Sequence, residues 1–131
     1  MNVQVGLEAT GIGRDQYLLK MPASYHGQAV VSIGFDFCST AALRWLILPT
    51  SIQKITALAF FKNAPEIIFY EGTAEEFARV SIGSMNDALS NTTVCYYSEQ
   101  IPPNDGGNYW CYAENGAPCV WEIFTEESAQ P

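Results

Sequence analysis

Basic residues are scarce in this chain and histidine is scarcer: of 131 residues, six are Lys or Arg and one is His. His26 has no Ser-x-Gly elbow or paired cysteine beside it, so the sequence assembles no nucleophile and base. Its four cysteines (Cys38, Cys95, Cys111, Cys119) show no C-x-x-C spacing, which argues against a tetrahedral zinc site. Gly11-Ile12-Gly13 lacks the further Gly and the helix that a dinucleotide loop requires. No apolar run reaches the length that crosses a bilayer. No basic start followed by an apolar block marks a signal peptide. The expected location is therefore the cytoplasm, or the cell surface if an export segment has been removed. Within an exported chain, Asn91-Thr92-Thr93 would be a glycosylation acceptor. The composition argues against disorder: 48% of residues are apolar and only 15% charged. No catalytic constellation, metal set or cofactor motif emerges, and the expectation is a non-enzymatic protein.

What charge there is lies unevenly. Up to Pro65 there are five basic residues and three acids, a net +2. From Glu66 onward eleven acids face Arg79 alone, a net −10. Such a half repels phosphate backbones, so direct nucleic-acid binding is disfavoured and a basic protein partner is the consistent expectation. The same charge also serves solubility. Glu75-Glu76 at a helix start and Glu126-Glu127 in the tail are ordinary places for solvated carboxylates.

The apolar residues are organised around one stretch, Leu43 to Pro65. Leu43, Leu46 and Leu48 have the spacing that sends alternate residues of a short strand into a core. Pro49 ends the strand because it brings no N–H to a ladder. Ile52 and Ile55, then Ala59 and Phe60, have helical or 3₁₀ spacing. A unit of strand, corner and helical turn cannot bury its own faces and implies stacked neighbours. Gln16 to Pro22 aligns with Leu43 to Pro49, pairing Leu19 with Leu46 and Met21 with Leu48. Farther on, Ile33 and Phe37 correspond to Ile55 and Phe60, one residue out of step. Tyr25-His26-Gly27-Gln28 adds a turn to this first unit. Ile68 and Tyr70 take the same core positions in a third unit. Thr73-Ala74-Glu75-Glu76 is a capping box, predicting a short helix with Phe77, Val80 and Ile82 on its apolar side. Thr92 to Tyr97 reads as a fourth strand, and Val3, Val5 and Leu7 as a first strand over the open end.

Four pieces in this order, ASYHGQAVVSIGFDF, LPTSIQKITALAFF, IIFYEGTAEEFARVSIGSMNDALSNTTVCYYSE and GGNYWCYAENGAPCVW, resemble the BspA-like leucine-rich repeat family of gut and oral bacteria. The third is similar to that family's closing repeat and the fourth to its terminal hairpin. The resemblance implies an α+β fold: a short leucine-rich-repeat solenoid with about four strands on one face, short helices or 3₁₀ turns opposite, and a C-terminal hairpin. It implies one domain. Residues 1–15 are a cap strand, 16–65 two repeats, 66–97 the closing repeat, 106–124 the hairpin and 125–131 a polar tail that frays. The family's usual role is adhesion and host binding at the cell surface.

Asn115-Gly116 is the strongest short hairpin signal in the chain. A two-residue loop would pair Tyr112 with Cys119, whereas a three-residue loop including Glu114 would set Cys111 opposite Cys119. The sequence does not choose. Tyr109, Trp110, Tyr112 and Trp121 are expected to fold back on the coil.

If Leu46 and Leu48 point inward, Trp45 and Ile47 point outward. Neighbouring strands then stack two outward rows, Leu18–Trp45–Ile67 and Lys20–Ile47–Phe69–Cys95, edged by Arg44 and Glu66. A face this apolar is unusual for a soluble monomer and suits a docking surface. The expected contact residues are Leu18, Lys20, Arg44, Trp45, Ile47, Ile67 and Phe69, on a protein partner or a second copy of the chain, unless the C-terminal hairpin covers them. A second reading is a small acidic inhibitor of a basic nucleic-acid-handling enzyme, of the anti-CRISPR kind. A third is a fragment of a surface adhesin.

Overall fold

A computed structural model describes residues 7–9, 18–34, 37, 43–60 and 63–121. Within them the chain passes back and forth between two sheets. Strands β1 (Leu7–Ala9), β2 (Leu18–Lys20), β3 (Ser24–Tyr25), β4 (Gln28–Ile33), β5 (Trp45–Leu48), β6 (Lys54–Ile55) and β7 (Ile67–Tyr70) lead to a single helical turn, α1 (Ala74–Phe77). Then come β8 (Ser81–Ile82), a 3₁₀ turn (Asp87–Asn91), β9 (Thr93–Tyr97), β10 (Tyr109–Tyr112) and β11 (Pro118–Val120). One sheet has the order β11-β10-β9-β7-β5-β2, and the other β1-β4-β6-β8 with β3 paired to β4. The β10–β11 and β3–β4 pairs are antiparallel and the remaining ladders parallel.

Side-chain alternation sets the register of the larger sheet. Leu19 lies beside Leu46, Leu46 beside Ile68, and Ile68 beside Val94. These residues, with Leu48 and Tyr70, face Met21, Ile33, Ile55 and Phe60 in the core between the sheets. Ile33 pairs with Ile55, the correspondence read from the sequence units.

The far side of the coil corrects the fold expectation. It is not a row of helices or 3₁₀ turns, and the protein is not an α+β leucine-rich-repeat solenoid. Among the described residues it is mostly β, with mixed sheets on both sides and one turn of α-helix. Ile52 and Ile55 are three apart because a corner intervenes, not because they share a helix face. After Pro49 the chain turns, and Lys54–Ile55 runs as a strand between β4 and β8. Gln53 and Thr56 donate their N–H groups to Val31 O and Ile33 O at 2.7 and 2.9 Å. On the other side, Ser81 and Gly83 donate to Gln53 O and Ile55 O at 3.0 and 2.7 Å. Val30, Val31 and Ile33 are β-branched, which suits a pleated surface better than a helix. Gly83 is required by closeness: a Cβ there would stand 2.5 Å from the backbone nitrogen of Ala57.

The capping box forms as expected. Thr73 N–H donates to Glu76 Oε1 at 2.9 Å, and Glu76 N–H donates to Thr73 Oγ1 at 3.1 Å. The helix stops after one turn, however. Phe77 and Val80 pack inward, whereas Ile82 belongs to β8 and is 49% exposed. The added turn in the first unit is a hairpin tip, with His26 at φ 52° and Gly27 at φ 80°. The expected first strand lies partly outside the described residues, as do Cys38 and the tail.

The C-terminal hairpin takes the three-residue loop. Ala113 N–H donates to Ala117 O at 2.8 Å, and Gly116 N–H to Ala113 O at 2.9 Å. Gly116 has φ 85°, the left-handed conformation that glycine adopts freely. Cys111 is therefore opposite Cys119, and both are free thiols.

Candidate docking surface

Both outward rows exist in the larger sheet, but they have different surroundings. Leu18 pairs with Trp45 and Trp45 with Ile67; Lys20 pairs with Ile47, Ile47 with Phe69, and Phe69 with Cys95. The second row is closed. Ile47, Phe69 and Cys95 join Trp110 in a second core, with Trp110 fully buried. The Trp110 ring lies 5.3 Å from Phe69, 5.3 Å from Tyr97 and 4.8 Å from Tyr112. Its indole N–H donates to Tyr70 O at 2.7 Å. Trp121 anchors the hairpin further by donating to Ser98 O at 2.8 Å.

Ile47 and Phe69 are thus core residues and not contact residues, which corrects the expectation for that half of the face. The reason is curvature. Three strands separate β2 from β10, yet Lys20 Nζ stands 4.8 Å from the centroid of the Tyr112 ring. The sheet curls until its first strand and its hairpin meet, and the Lys20 ammonium is placed on that ring. Tyr112 OH donates to Glu71 Oε2 at 2.5 Å and secures the closure.

The first row stays partly open. Leu18 is 36% exposed, and Trp45 and Ile67 are half-buried. Arg44 Nε donates to Glu66 Oε2 at 2.6 Å, with both side chains more than half exposed. The Arg44 guanidinium carbon sits 5.4 Å from the centre of the Trp45 ring. The hydrogen bond from Arg44 holds the Glu66 carboxyl below its usual range. An exposed pair of this kind adds little stability, so its main effect is to fix the edge of the apolar row. The rows were legible from strand alternation. The Glu71–Tyr112 and Lys20–Tyr112 contacts were not, because they join residues brought together only by the curl.

Burial raises the Tyr112 phenol far above its ordinary value of 10.0, and the hydrogen bond to Glu71 adds to this. An unfolded tyrosine ionises near 10.0, while the folded one resists. The resulting stability is complete below pH 10 and is lost as pH rises through the folded value. Urea midpoints should therefore hold steady from pH 8 to about pH 10 and then fall. Tyr70, Tyr96, Tyr97 and Tyr109 are also raised, so Tyr112→Phe should make the alkaline limb shallower without abolishing it; an unchanged limb would show that Tyr112 does not contribute.

Acids from the second half are spread over exposed ground: Glu75, Glu76, Asp87, Glu99, Asp105 and Glu114. Asp105 is held below its usual range by the Gly107 N–H and the Tyr109 hydroxyl. His26 is exposed at its hairpin tip, 4.0 Å from the Tyr25 ring. Among the described residues, no group of three or more His, Cys, Asp or Glu side chains is placed to hold a metal ion. No helix among them is long and apolar enough to cross a membrane. No protein-family model, curated protein or solved structure matches the chain.

Proposed function

We propose that this protein is a non-enzymatic interaction module that docks a basic protein partner on the open row Leu18–Trp45–Ile67. The observation that carries the reading is the half-buried Trp45, flanked by apolar neighbours on both sides and edged by the Arg44–Glu66 pair. Aromatic and arginine side chains are the usual anchors of protein interfaces. The acidic surface selects partners of opposite sign and speeds their approach.

Trp45→Asp tests it. Trp45 is half-buried and packs only on the edge of the second core, so the variant should still fold, with a melting temperature lowered far less than that of a core variant. Capture of a basic partner from host lysate should then be lost. Ile47→Asp, in contrast, should unfold the protein. Retained capture by folded Trp45→Asp would overturn the docking row. Salt separates the acidic-inhibitor reading: that interaction should weaken steeply between roughly 0.05 and 0.5 M salt, whereas an apolar row should hold.

A further inference from the structure

The corners that join the two sheets do not match in length. Five residues (49–53) join β5 to β6, whereas ten (71–80) join β7 to β8 and include α1. The two corners cannot stack flush, and a cleft of about 190 Å³ lies between them. At about 30 Å³ per liquid water, that is room for about six water molecules.

The walls of the cleft are chemically specific. Thr50 Cγ2, Tyr70 Cε2 and Glu76 Oε1 all fall within 2.8 Å of the point where Gly72 would carry a Cβ, so Gly72 lets three walls converge. The floor is apolar, with Ile52 and Val80. Tyr70 is 1% exposed, and its hydroxyl bonds to none of the described residues. Glu76 lines the cleft with Oε1 occupied by the capping box, and its Oε2 takes no hydrogen bond from the described residues. Arg79 is the only cation after Pro65, and among the described residues it pairs with no carboxylate. The cleft is thus lined by a phenol that hydrogen-bonds to none of the described residues and by one exposed charged side chain of each sign.

We infer that this cleft binds a small α-amino acid as its zwitterion. A plain anion would meet Glu76, and a plain cation would meet Arg79. A zwitterion satisfies both: its carboxylate takes the guanidinium of Arg79, and its ammonium donates to Glu76 and to the Tyr70 hydroxyl oxygen. The volume limits the side chain to a few carbons, which Ile52 and Val80 would receive. The site is separate from the docking row and does not depend on it.

The test is an NMR titration of the full chain with L-alanine and L-valine, with propionate and propylamine as single-charge controls. The amides of Tyr70, Gly72 and Val80 report on the cleft. Saturable shifts are expected for the amino acids, with dissociation constants of about a millimolar, and much weaker ones for the controls. Arg79→Ala changes an exposed residue and should weaken binding about tenfold or more. Tyr70→Phe keeps the ring and should weaken it about threefold. The site is overturned by an absence of saturation up to about 50 mM. It is equally overturned if a control binds as tightly as the amino acids, or if Arg79→Ala binds undiminished.

Discussion

Trp110→Ala is expected to destabilise the protein by about 4 kcal/mol and to release the C-terminal hairpin from the sheet. The indole is fully buried on top of Ile47, Phe69 and Cys95, and truncating it opens a cavity that those side chains cannot fill. It also removes the donor from Tyr70 O, a carbonyl at the buried end of β7. Backbone pairing cannot hold the hairpin in place of the ring. Strand β10 meets β9 at only two register pairs, Tyr109–Tyr96 and Trp110–Tyr97. Against a total of roughly 5–15 kcal/mol for a domain, the loss is large. Urea denaturation measures it, and Cys95 supplies a local readout. That thiol is 2% exposed and should gain reactivity towards a thiol reagent in the variant. Trp110→Phe should cost less, about 2 kcal/mol, because a phenyl ring still fills part of the site, although the N–H donor and part of the indole volume are lost. A loss below about 1 kcal/mol for the alanine variant would mean that Trp110 is not what closes the second row.

The same ring shows what the sequence could convey and what it could not. Strand alternation is local, so Trp45, Ile47, Ile67 and Phe69 could be placed on the outer face from their spacing alone. Whether that face meets water depends on the curl of the sheet, which is the sum of small twists across six strands and is written in no single segment. Trp110 could be expected to fold back, but not to land on one row and spare the other. The far side of the coil failed for a different reason. Strands β6 and β8 have two residues each, too short for a period of two to be distinguished from helical spacing. The spacing of Ile52 and Ile55 therefore matches a helix as well as a strand. Long-range ladder hydrogen bonds decide for the strand, because Gln53, Ile55 and Thr56 find backbone partners in Val31, Ile33, Ser81 and Gly83 of the adjoining coils. The cleft beside Arg79 was equally hidden, since it arises from a mismatch of two corner lengths and from no motif.

Asn86 is the second position at which a large loss is expected, about 4 kcal/mol for Asn86→Leu. In sequence it is one polar residue in a turn. In the fold it is 9% exposed and joins two coils. Its Oδ1 accepts the buried Phe60 N–H at 2.7 Å, and its Nδ2 donates to Thr56 O at 3.0 Å and Gly83 O at 2.9 Å. Leucine has a similar size but would leave one N–H and two carbonyls without partners, and each unsatisfied buried group costs about 1–3 kcal/mol. Nearby strain adds to the demand. Leu58 and Met85 sit three residues beyond the paired Ile55 and Ile82, and both have left-handed backbones, with φ of 66° and 61°. Neither residue type adopts that conformation cheaply, and the link from Leu58 N–H to Ser84 O at 3.1 Å holds their loops together. Asn86 grips the chain on both sides of that link, so its loss should free both loops at once. Denaturation of Asn86→Leu measures the energy, and amide exchange at Phe60 locates it. The Phe60 amide should exchange far faster in the variant under conditions where most of the protein remains folded. Unchanged Phe60 protection would place the support for these loops in the backbone ladder between β6 and β8. The matched spacing of Leu58 and Met85 argues against that outcome: two successive coils bend through the same unfavourable conformation, and only the second supplies an asparagine to hold both.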